Sequence, residues 1–206
     1  EELDRRSMRL IGEMIEPLSR IERERLIGAM RAVESHLSAP PDGAVPRISL
    51  RQYGIGDVGW AIERHATLYA EEFGWNGEFE ALVAGLFARF ATAHDPLRER
   101  FWMAEVNGER MGCVFVAQND RDPVAAQLRC LLVDPRARGL GLGRRLVEEC
   151  IGFAKSAGYA KMVLWTNDVL AAARRIYVAA GFKLIEESPH HSCGHDLVGQ
   201  TWAREL

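Results

Sequence analysis

The sequence predicts an α/β (α+β) fold in which short apolar strands alternate with amphipathic helices behind an N-terminal helical hairpin. Three observations carry this reading. In the C-terminal half, apolar runs of strand length alternate with stretches whose apolar residues recur at helical spacing. In the middle, two apolar runs meet at Asn107-Gly108, a pair suited to a tight β-hairpin. Residues 3–37 carry only helical periodicity, and a linker of proline, glycine and small residues follows from Ser38 to Pro46.

In the first segment, Leu10, Ile11, Met14 and Ile15 form one helical stripe, which Pro17 interrupts. Ser19-Arg20-Ile21-Glu22 is a capping box, in which the serine and the glutamate satisfy free N–H groups at the start of a helix. That second helix is expected to reach about Leu37, with Leu26, Met30, Val33 and Leu37 on one face. Two short helices cannot bury such stripes alone, so they pack on the following domain or on another copy. The expected division is a helical segment over 1–38, a linker over 39–47 and a larger α/β domain over 48–206.

Ile48 to Tyr53 reads as a strand. Asp57 is expected to cap the next helix, with Ile62, Ala66, Tyr69 and Phe73 as its buried stripe. Gly74-Trp75-Asn76-Gly77 breaks that helix, and Phe79 to Ala93 forms another. Phe101 to Val106 and Met111 to Val116 are the hairpin strands. Glu71, Glu72, Trp75 and Glu78 cluster at the turn between the helices. Carboxylates beside an aromatic ring suit an amine ligand, although a solvated acidic surface is the commoner meaning of such a cluster.

Leu128 to Val133 reads as a buried strand, and Asp134-Pro135-Arg136-Ala137-Arg138-Gly139-Leu140-Gly141-Leu142-Gly143-Arg144-Arg145 follows it directly. Glycines at alternate positions let the backbone turn tightly and let a ligand approach closely. The free N–H groups and the dipole at the start of the next helix favour an anion, so the run is a candidate phosphate site. It lacks the Lys-Ser or Lys-Thr of a P-loop, and neither Gly139 nor Gly141 starts a G-x-G-x-x-G dinucleotide pattern. Leu142, Leu146, Val147, Cys150, Ile151 and Ala154 mark the helix, which Gly158 ends. Met162 to Thr166 is a further strand. Asn167 and Asp168 are expected to cap a helix carrying Ala172, Ala173, Ile176, Tyr177 and Ala180. It stops at Gly181, and another strand begins at Phe182.

Arg138, Gly141 and Gly143 meet the pattern R-x-x-G-x-G, and Ala173-x-x-Ile176-Tyr177-x-x-x-Gly181-Phe182 follows at a fixed distance. Together they resemble the two signatures of the GNAT superfamily of N-acetyltransferases, over about Ile48 to Leu206. The resemblance implies the GNAT acyl-CoA fold, with a central mixed, mostly antiparallel sheet flanked by helices. It implies acetyl-CoA as co-substrate, its pantetheine arm on the backbone of Leu131, Leu132 and Val133. Its pyrophosphate would lie on Arg138, Gly139, Leu140, Gly141, Leu142, Gly143 and Arg144. Tyr177 would protonate the departing thiolate, and the acceptor would be a primary amine, most readily that of a small molecule. Many members carry asparagine seven residues before the tyrosine. Leu170 stands there in this chain, so Asn167 is the expected substitute.

An amine of pKa about 10 must lose a proton before it attacks. Some members use a glutamate on the central strand, but that strand carries Gln127 and Arg129 and no carboxylate. The base is open among Glu72, Glu105 through water, and His195. No arrangement suits a covalent nucleophile, which disfavours a ping-pong route. The run from Pro17 to Leu37 resembles the dimerisation helix at the C-terminus of MarR-type regulators, some of which resemble a winged-helix domain followed by a GNAT domain. This implies a homodimer through the N-terminal helices. As an alternative function, the chain would be an acetyl-CoA- or ligand-sensing module of a transcriptional regulator. DNA contact would then come only from a winged-helix part that this sequence does not contain.

A net charge of −3 over 206 residues gives no electrostatic case for nucleic acid or an anionic membrane. No apolar stretch approaches the roughly 20 residues of a membrane span, and no signal peptide is visible. Cys113, Cys130, Cys150 and Cys193 form no C-x-x-C pair, which fits a reducing cytoplasm, the expected location. The chain opens on Glu1, as a fragment or processed product would. His190-His191-Ser192-Cys193-Gly194-His195-Asp196 is too short to wrap a tetrahedral zinc, so no metal is expected. It is expected to be a polar loop between the last two strands, in which one histidine could relay protons.

Overall fold

Ser19 and Glu22 cap each other as their spacing dictates. The Ser19 N–H and hydroxyl donate to Glu22 Oε2 at 2.8 and 2.7 Å, and the Glu22 N–H donates to Ser19 Oγ at 3.3 Å. They close the turn between helix α1 (Glu2–Ile15) and helix α2 (Arg20–Leu37). Arg23 ties the same turn by donating to the Leu18 and Glu16 carbonyls at 2.9 and 2.8 Å. Apolar side chains remain in the open on both helices, with Met14 75% and Met30 61% exposed. The computed structural model describes residues 2–37 and 46–206, and the chain divides into two units between Val45 and Pro46. The linker expected at 39–47 lies, as far as Val45, outside the described residues, as does the side chain of Leu37.

The second unit runs β1 (Ile48–Gln52), α3 (Asp57–Phe73), α4 (Gly77–Ala93), β2 (Arg100–Val106), β3 (Glu109–Gln118), β4 (Ala125–Val133), α5 (Leu142–Ser156), β5 (Lys161–Asn167), α6 (Ala171–Ala179), β6 (Lys183–Ser192) and β7 (His195–Glu205). The strands form one seven-stranded sheet in the order β1-β2-β3-β4-β5-β7-β6. Every neighbouring pair is antiparallel except β4 and β5. This is the mixed, mostly antiparallel sheet expected. Asn107 and Gly108, with φ of 53° and 84°, make the two-residue turn between β2 and β3.

The helices cover both faces. Leu142, Leu146, Val147 and Cys150 of α5 and Tyr177 of α6 join Val114, Leu128 and Leu164 in one core. Ala61 and Leu68 of α3 and Val83, Phe87 and Phe90 of α4 join Phe101, Met103 and Phe115 in the other. The buried face of α3 is Ala61, His65 and Leu68, one position round from the expected Ile62, Ala66, Tyr69 and Phe73, which lie half-buried along its flank. Asp57 starts α3 but caps none of its N–H groups. Its carboxylate takes Arg51 Nη1 and the Gly54 N–H, both at 2.6 Å, and so ties the helix start to β1.

Candidate active site

The site begins with a fault in the sheet. β4 pairs in register with β5 only from Ala125–Leu128 to Lys161–Leu164. Beyond Leu128, three steps along β4 oppose two along β3, since Arg129 faces Phe115 and Leu132 faces Cys113. Cys130, at this bulge, has φ of 53°, a left-handed conformation that costs an L-residue about 1–2 kcal/mol. β5 stays paired to β7 as far as Asn167, so β4 and β5 part company and open a cleft between them.

Asp134 fixes the far corner of β4. It is fully buried, its N–H donates to the Met111 carbonyl at 2.8 Å, and Arg64 Nε from α3 donates to its Oδ2 at 2.8 Å. The N–H and Nε of Arg136 both reach Oδ1 at 3.0 Å. Burial opposes ionisation of this carboxyl, but the hydrogen bonds from Arg136 and Arg64 outweigh it and hold the group below the usual carboxylate range. Asp134 was not singled out in the sequence, although aspartate before a proline is a turn-starting pair.

The glycine run then turns into α5. Gly141 is the N-cap, with φ of 73° and no side-chain cap. The first bond within the helix runs from the Arg145 N–H to the Gly141 carbonyl at 3.1 Å, so the N–H groups of Leu142, Gly143 and Arg144 precede it. Gly143 serves a different need: a Cβ there would stand 2.6 Å from Ile176 Cδ1, so its absence lets α5 lie against α6. The result is a helix N-terminus, with free N–H groups and no acidic residue in its first turn, facing the opened seam.

Two spaces meet at that seam. A cleft of about 630 Å³ is lined by Leu131–Val133, Arg138, Gly139, Gly141–Arg144, the α6 residues Ala171–Ala173 and Ile176, and Leu68, Tyr69, Glu72 and Phe73 of α3. A smaller cavity of about 330 Å³ is lined by Tyr69, Trp75, Phe79, Leu82, Leu86 and Trp165, with the polar groups of His65, Arg129, Asn167 and Tyr177. Tyr69, Leu131, Leu170 and Ala173 line both.

Most of the residues expected to hold the co-substrate line the larger cleft. Leu140 does not and packs into the α5 core, while Asn167 and Tyr177 line the smaller cavity. Neither Asn167 nor Asp168 caps α6, because both belong to the end of the sheet. The Asp168 carboxylate takes the Val198 N–H at 3.2 Å, and Asn167 Oδ1 takes His190 Nε2 at 2.9 Å. Tyr177 is buried, and burial pushes its phenol well above the ordinary value, so it stays protonated.

The bases expected from sequence are not brought to the cavity. Glu72 binds Arg138 Nη2 at 2.6 Å in the cleft, and Glu105 binds Arg51 Nε at 2.7 Å on β2. His195 sits beside the Gly74 carbonyl, with Nε2 at 3.1 Å. The reason is local packing. His190 to Asp196 is no open loop but the strand ends and two-residue turn of the β6–β7 hairpin, with Cys193 and Gly194 at φ of 55° and 81°. That hairpin latches onto the α3–α4 turn, where the Cys193 N–H donates to Glu78 Oε2 at 2.6 Å and the Asn76 N–H to the Cys193 carbonyl at 3.3 Å. The acidic cluster is thereby dispersed: Glu71 is exposed, Glu72 faces Arg138 and Glu78 holds the hairpin, while Trp75 alone lines the cavity. Among the described residues no group of three His, Cys, Asp or Glu could hold a metal ion.

His65 was missed in the sequence. It is fully enclosed on α3, stacked on Tyr69, with Nδ1 2.7 Å from the Ala61 carbonyl. A carbonyl accepts, so Nδ1 carries the proton, and Nε2 has no hydrogen-bond partner among the described residues, although the Cys130 backbone lies near enough to act on the ring. Burial lowers its pKa to about 4, which keeps the ring neutral at physiological pH. Ala61 and His65 share a helix face, the one available sequence signal.

Solved structures share this architecture. An acetyltransferase of the GNAT family from Staphylococcus aureus matches 78% of this chain and 99% of its own length, with a TM-score of 0.65 at 19% identity. A putative acetyltransferase from Salmonella typhimurium, solved with its cofactor acetyl-CoA, matches 78% of this chain and 94% of its own at TM-score 0.62 and 21% identity. Among curated relatives, an uncharacterized N-acetyltransferase of Schizosaccharomyces pombe is 32% identical over 126 residues, 60% of this chain and 75% of the relative. N-acetylaspartate synthetase of Xenopus tropicalis is 35% identical over 91 residues, 44% of this chain but only 33% of the relative. The two solved structures share the fold in which the cleft lies. The model of the acetyltransferase (GNAT) family matches residues 62–182, and the chain belongs to that family as an acetyl-CoA-dependent N-acetyltransferase. Among the described residues no helix is long and apolar enough to cross a membrane.

Proposed function

We propose that the enzyme moves an acetyl group from acetyl-CoA directly to the primary amine of a small molecule, with the thioester at the junction of the two spaces. The observation that carries this reading is the wall shared by cleft and cavity at Leu131, Leu170 and Ala173. The pyrophosphate lies against the N–H groups that open α5, with Arg144 beside it. The pantetheine arm follows the backbone of Leu131 to Val133, which β5 leaves unpaired. The amine nitrogen enters from the cavity and attacks the thioester carbonyl. Its lone pair forms the C–N bond, the carbonyl electrons move to oxygen, and a backbone N–H beyond the bulge stabilises that oxyanion. Collapse breaks the C–S bond, and sulfur leaves as a thiolate.

Tyr177 lines the smaller cavity next to this junction, with its hydroxyl protonated. Its raised pKa disfavours complete proton transfer, so its contribution is a hydrogen bond to the sulfur as charge develops there. His65 accepts a hydrogen bond from the amine and turns the nitrogen lone pair toward the carbonyl. A base of pKa about 4 cannot take the proton of an ammonium ion, so the amine reacts from its neutral form and sheds its second proton to solvent. Asn167, steadied by His190, takes the place of the family's usual asparagine. The cavity's volume of about 330 Å³ suits a small acceptor. The domain boundaries at 1–38, 39–47 and 48–206 are part of the same reading.

The exposed apolar faces of α1 and α2 support a homodimer formed through the N-terminal helices. They also favour a second reading, in which the acetyl-CoA site serves as the sensing module of a MarR-type regulator. One assay separates the two. Free thiol released from acetyl-CoA with a panel of small primary amines marks an enzyme, while acetyl-CoA binding without release for any amine marks a sensor. Light scattering at micromolar concentration tests the dimer, and a monomer overturns it.

A further inference from the structure

Arg129 is the one charged side chain among those lining the smaller cavity, and no carboxylate lines it. It forms neither a hydrogen bond nor an ion pair within the described residues. The carboxylate that acts on it electrostatically, Asp120, is already gripped by Arg89 on both oxygens, with Nη1 at 2.7 Å from Oδ2. A guanidinium is always charged, and partial burial costs it hydration that no hydrogen bond among the described residues returns, although it also borders two neighbouring spaces lined by Glu99, Asp120 and Glu186. The remaining walls are mostly aromatic and aliphatic, with Tyr69, Trp75, Phe79 and Leu86 beside the uncharged polar groups of His65, Gln127, Thr166, Asn167 and Tyr177.

We infer that the acceptor is a primary amine that also carries a carboxylate and an apolar body, with Arg129 as the partner of that carboxylate. The inference rests on the acetyltransferase reading and narrows its substrate class. A cation without a countercharge repels a simple ammonium or a polyamine, which the absence of any lining carboxylate would leave unbalanced. A carboxylate on the substrate cancels the charge and restores the lost hydrogen bonds. The guanidinium fork matches a carboxylate in two parallel contacts, which fixes orientation as well as charge. The amine then lies toward His65 and the thioester, and the apolar body occupies the aromatic wall.

Matched pairs test this: L-phenylalanine against 2-phenylethylamine, and L-leucine against 3-methylbutylamine, with thiol release measured at fixed acetyl-CoA. The wild-type enzyme should prefer the amino acid of each pair by about 10–100-fold in kcat/KM, the range of one charge-assisted hydrogen-bonded pair. Arg129→Gln should lower kcat/KM for the amino acid far more than for the amine, collapsing the ratio, and Arg129→Lys should keep part of it. The wild-type ratio needs no variant, so a poorly folding substitution leaves the test intact. Calorimetry with acetyl-CoA alone separates the two levels. If acetyl-CoA binds and the plain amines react as well as the amino acids, or neither member reacts, the acceptor assignment is overturned while the co-substrate site stands. If acetyl-CoA does not bind, the reading beneath both falls.

Discussion

The cleft and the cavity share a wall at Leu131 and Ala173, yet they are built in opposite ways. The cleft presents backbone: the stretch of β4 that β5 leaves unpaired and the first N–H groups of α5. Its side chains matter mostly by being absent, as at Gly141 and Gly143. The cavity presents side chains from five elements, α3, α4, β4, β5 and α6, and its chemistry rests on which residues those elements bring together. A backbone site binds a part common to every acyl-CoA, whereas a side-chain site can change its acceptor by single substitutions without disturbing the sheet. The contrast teaches that co-substrate binding and acceptor choice answer to different residues and are separable by mutation.

The largest effect should come from the cleft. Gly141→Asp adds a negative charge at the N-cap and forces an L-side chain into a backbone with φ of 73°, although the space there is open. Acetyl-CoA affinity should fall by about 100-fold or more in calorimetry, because the carboxylate takes the anion's place on the free N–H groups. Gly143→Asp should fail differently, losing thermal stability as well, since its Cβ meets Ile176 at 2.6 Å. Unchanged affinity in Gly141→Asp would break the backbone half of the comparison.

Tyr177→Phe probes the junction. Turnover should drop by roughly 100-fold, the low end of general-acid effects, because water can partly substitute for the hydroxyl. The affinity for acetyl-CoA should barely move, since the charge on sulfur develops only during the reaction. Full activity would reduce Tyr177 to a packing residue beside Phe182, its ring neighbour at 6.0 Å.

His65 tests the side-chain half through stability. Its pKa is near 6.5 in the unfolded chain and about 4 in the fold, so between those values the unfolded chain binds more protons. The contribution is complete above pH 6.5 and is lost as pH falls to about 4, a loss of about 3 kcal/mol. Urea melts across this range should show wild type losing that much more stability than His65→Leu. Parallel curves for the two proteins would mean that His65 is not held neutral by burial.

The same contrast explains what the sequence made legible. The glycine run, the helix it opens and the Asn107-Gly108 hairpin depend on neighbours in the chain, so spacing alone located them. Cys130 gives no local sign of its left-handed turn, because what it needs is the bulge forced by β3 beside it. Glu78 and His195 read as chemistry in the sequence, yet each meets a partner more than a hundred residues away, Glu78 at Cys193 and His195 at Gly74, and so fastens the β6–β7 hairpin on the α3–α4 turn. His65 and Arg129 read as ordinary members of a helix and a strand, and only the folded sheet makes them neighbours of one cavity. Charged and titratable residues are poor guides in sequence because their partners decide their role.

The smallest effect should come from Glu72, the one side chain in the cleft that opposes its ligand. Its carboxylate holds Arg138 at 2.6 Å while lining the cleft proposed for the pyrophosphate, with the two side chains 30% and 50% exposed. Glu72→Gln removes one negative charge from the anion's surroundings and releases Arg138 to approach it. Because both groups are partly solvated, screening keeps the pair weak, and affinity for acetyl-CoA should rise only about 2–5-fold. The gain should shrink as salt is raised, since it is electrostatic. Turnover at saturating acetyl-CoA should stay within about 2-fold of wild type, because a residue outside the cavity has no proton to take from the amine. Calorimetry at two salt concentrations, joined with saturated rates, separates the possibilities. A rise in affinity with the rate preserved places Glu72 on the co-substrate side of the divide. A fall in the saturated rate of about 100-fold would restore it as the base and bring the acceptor's chemistry into the cleft.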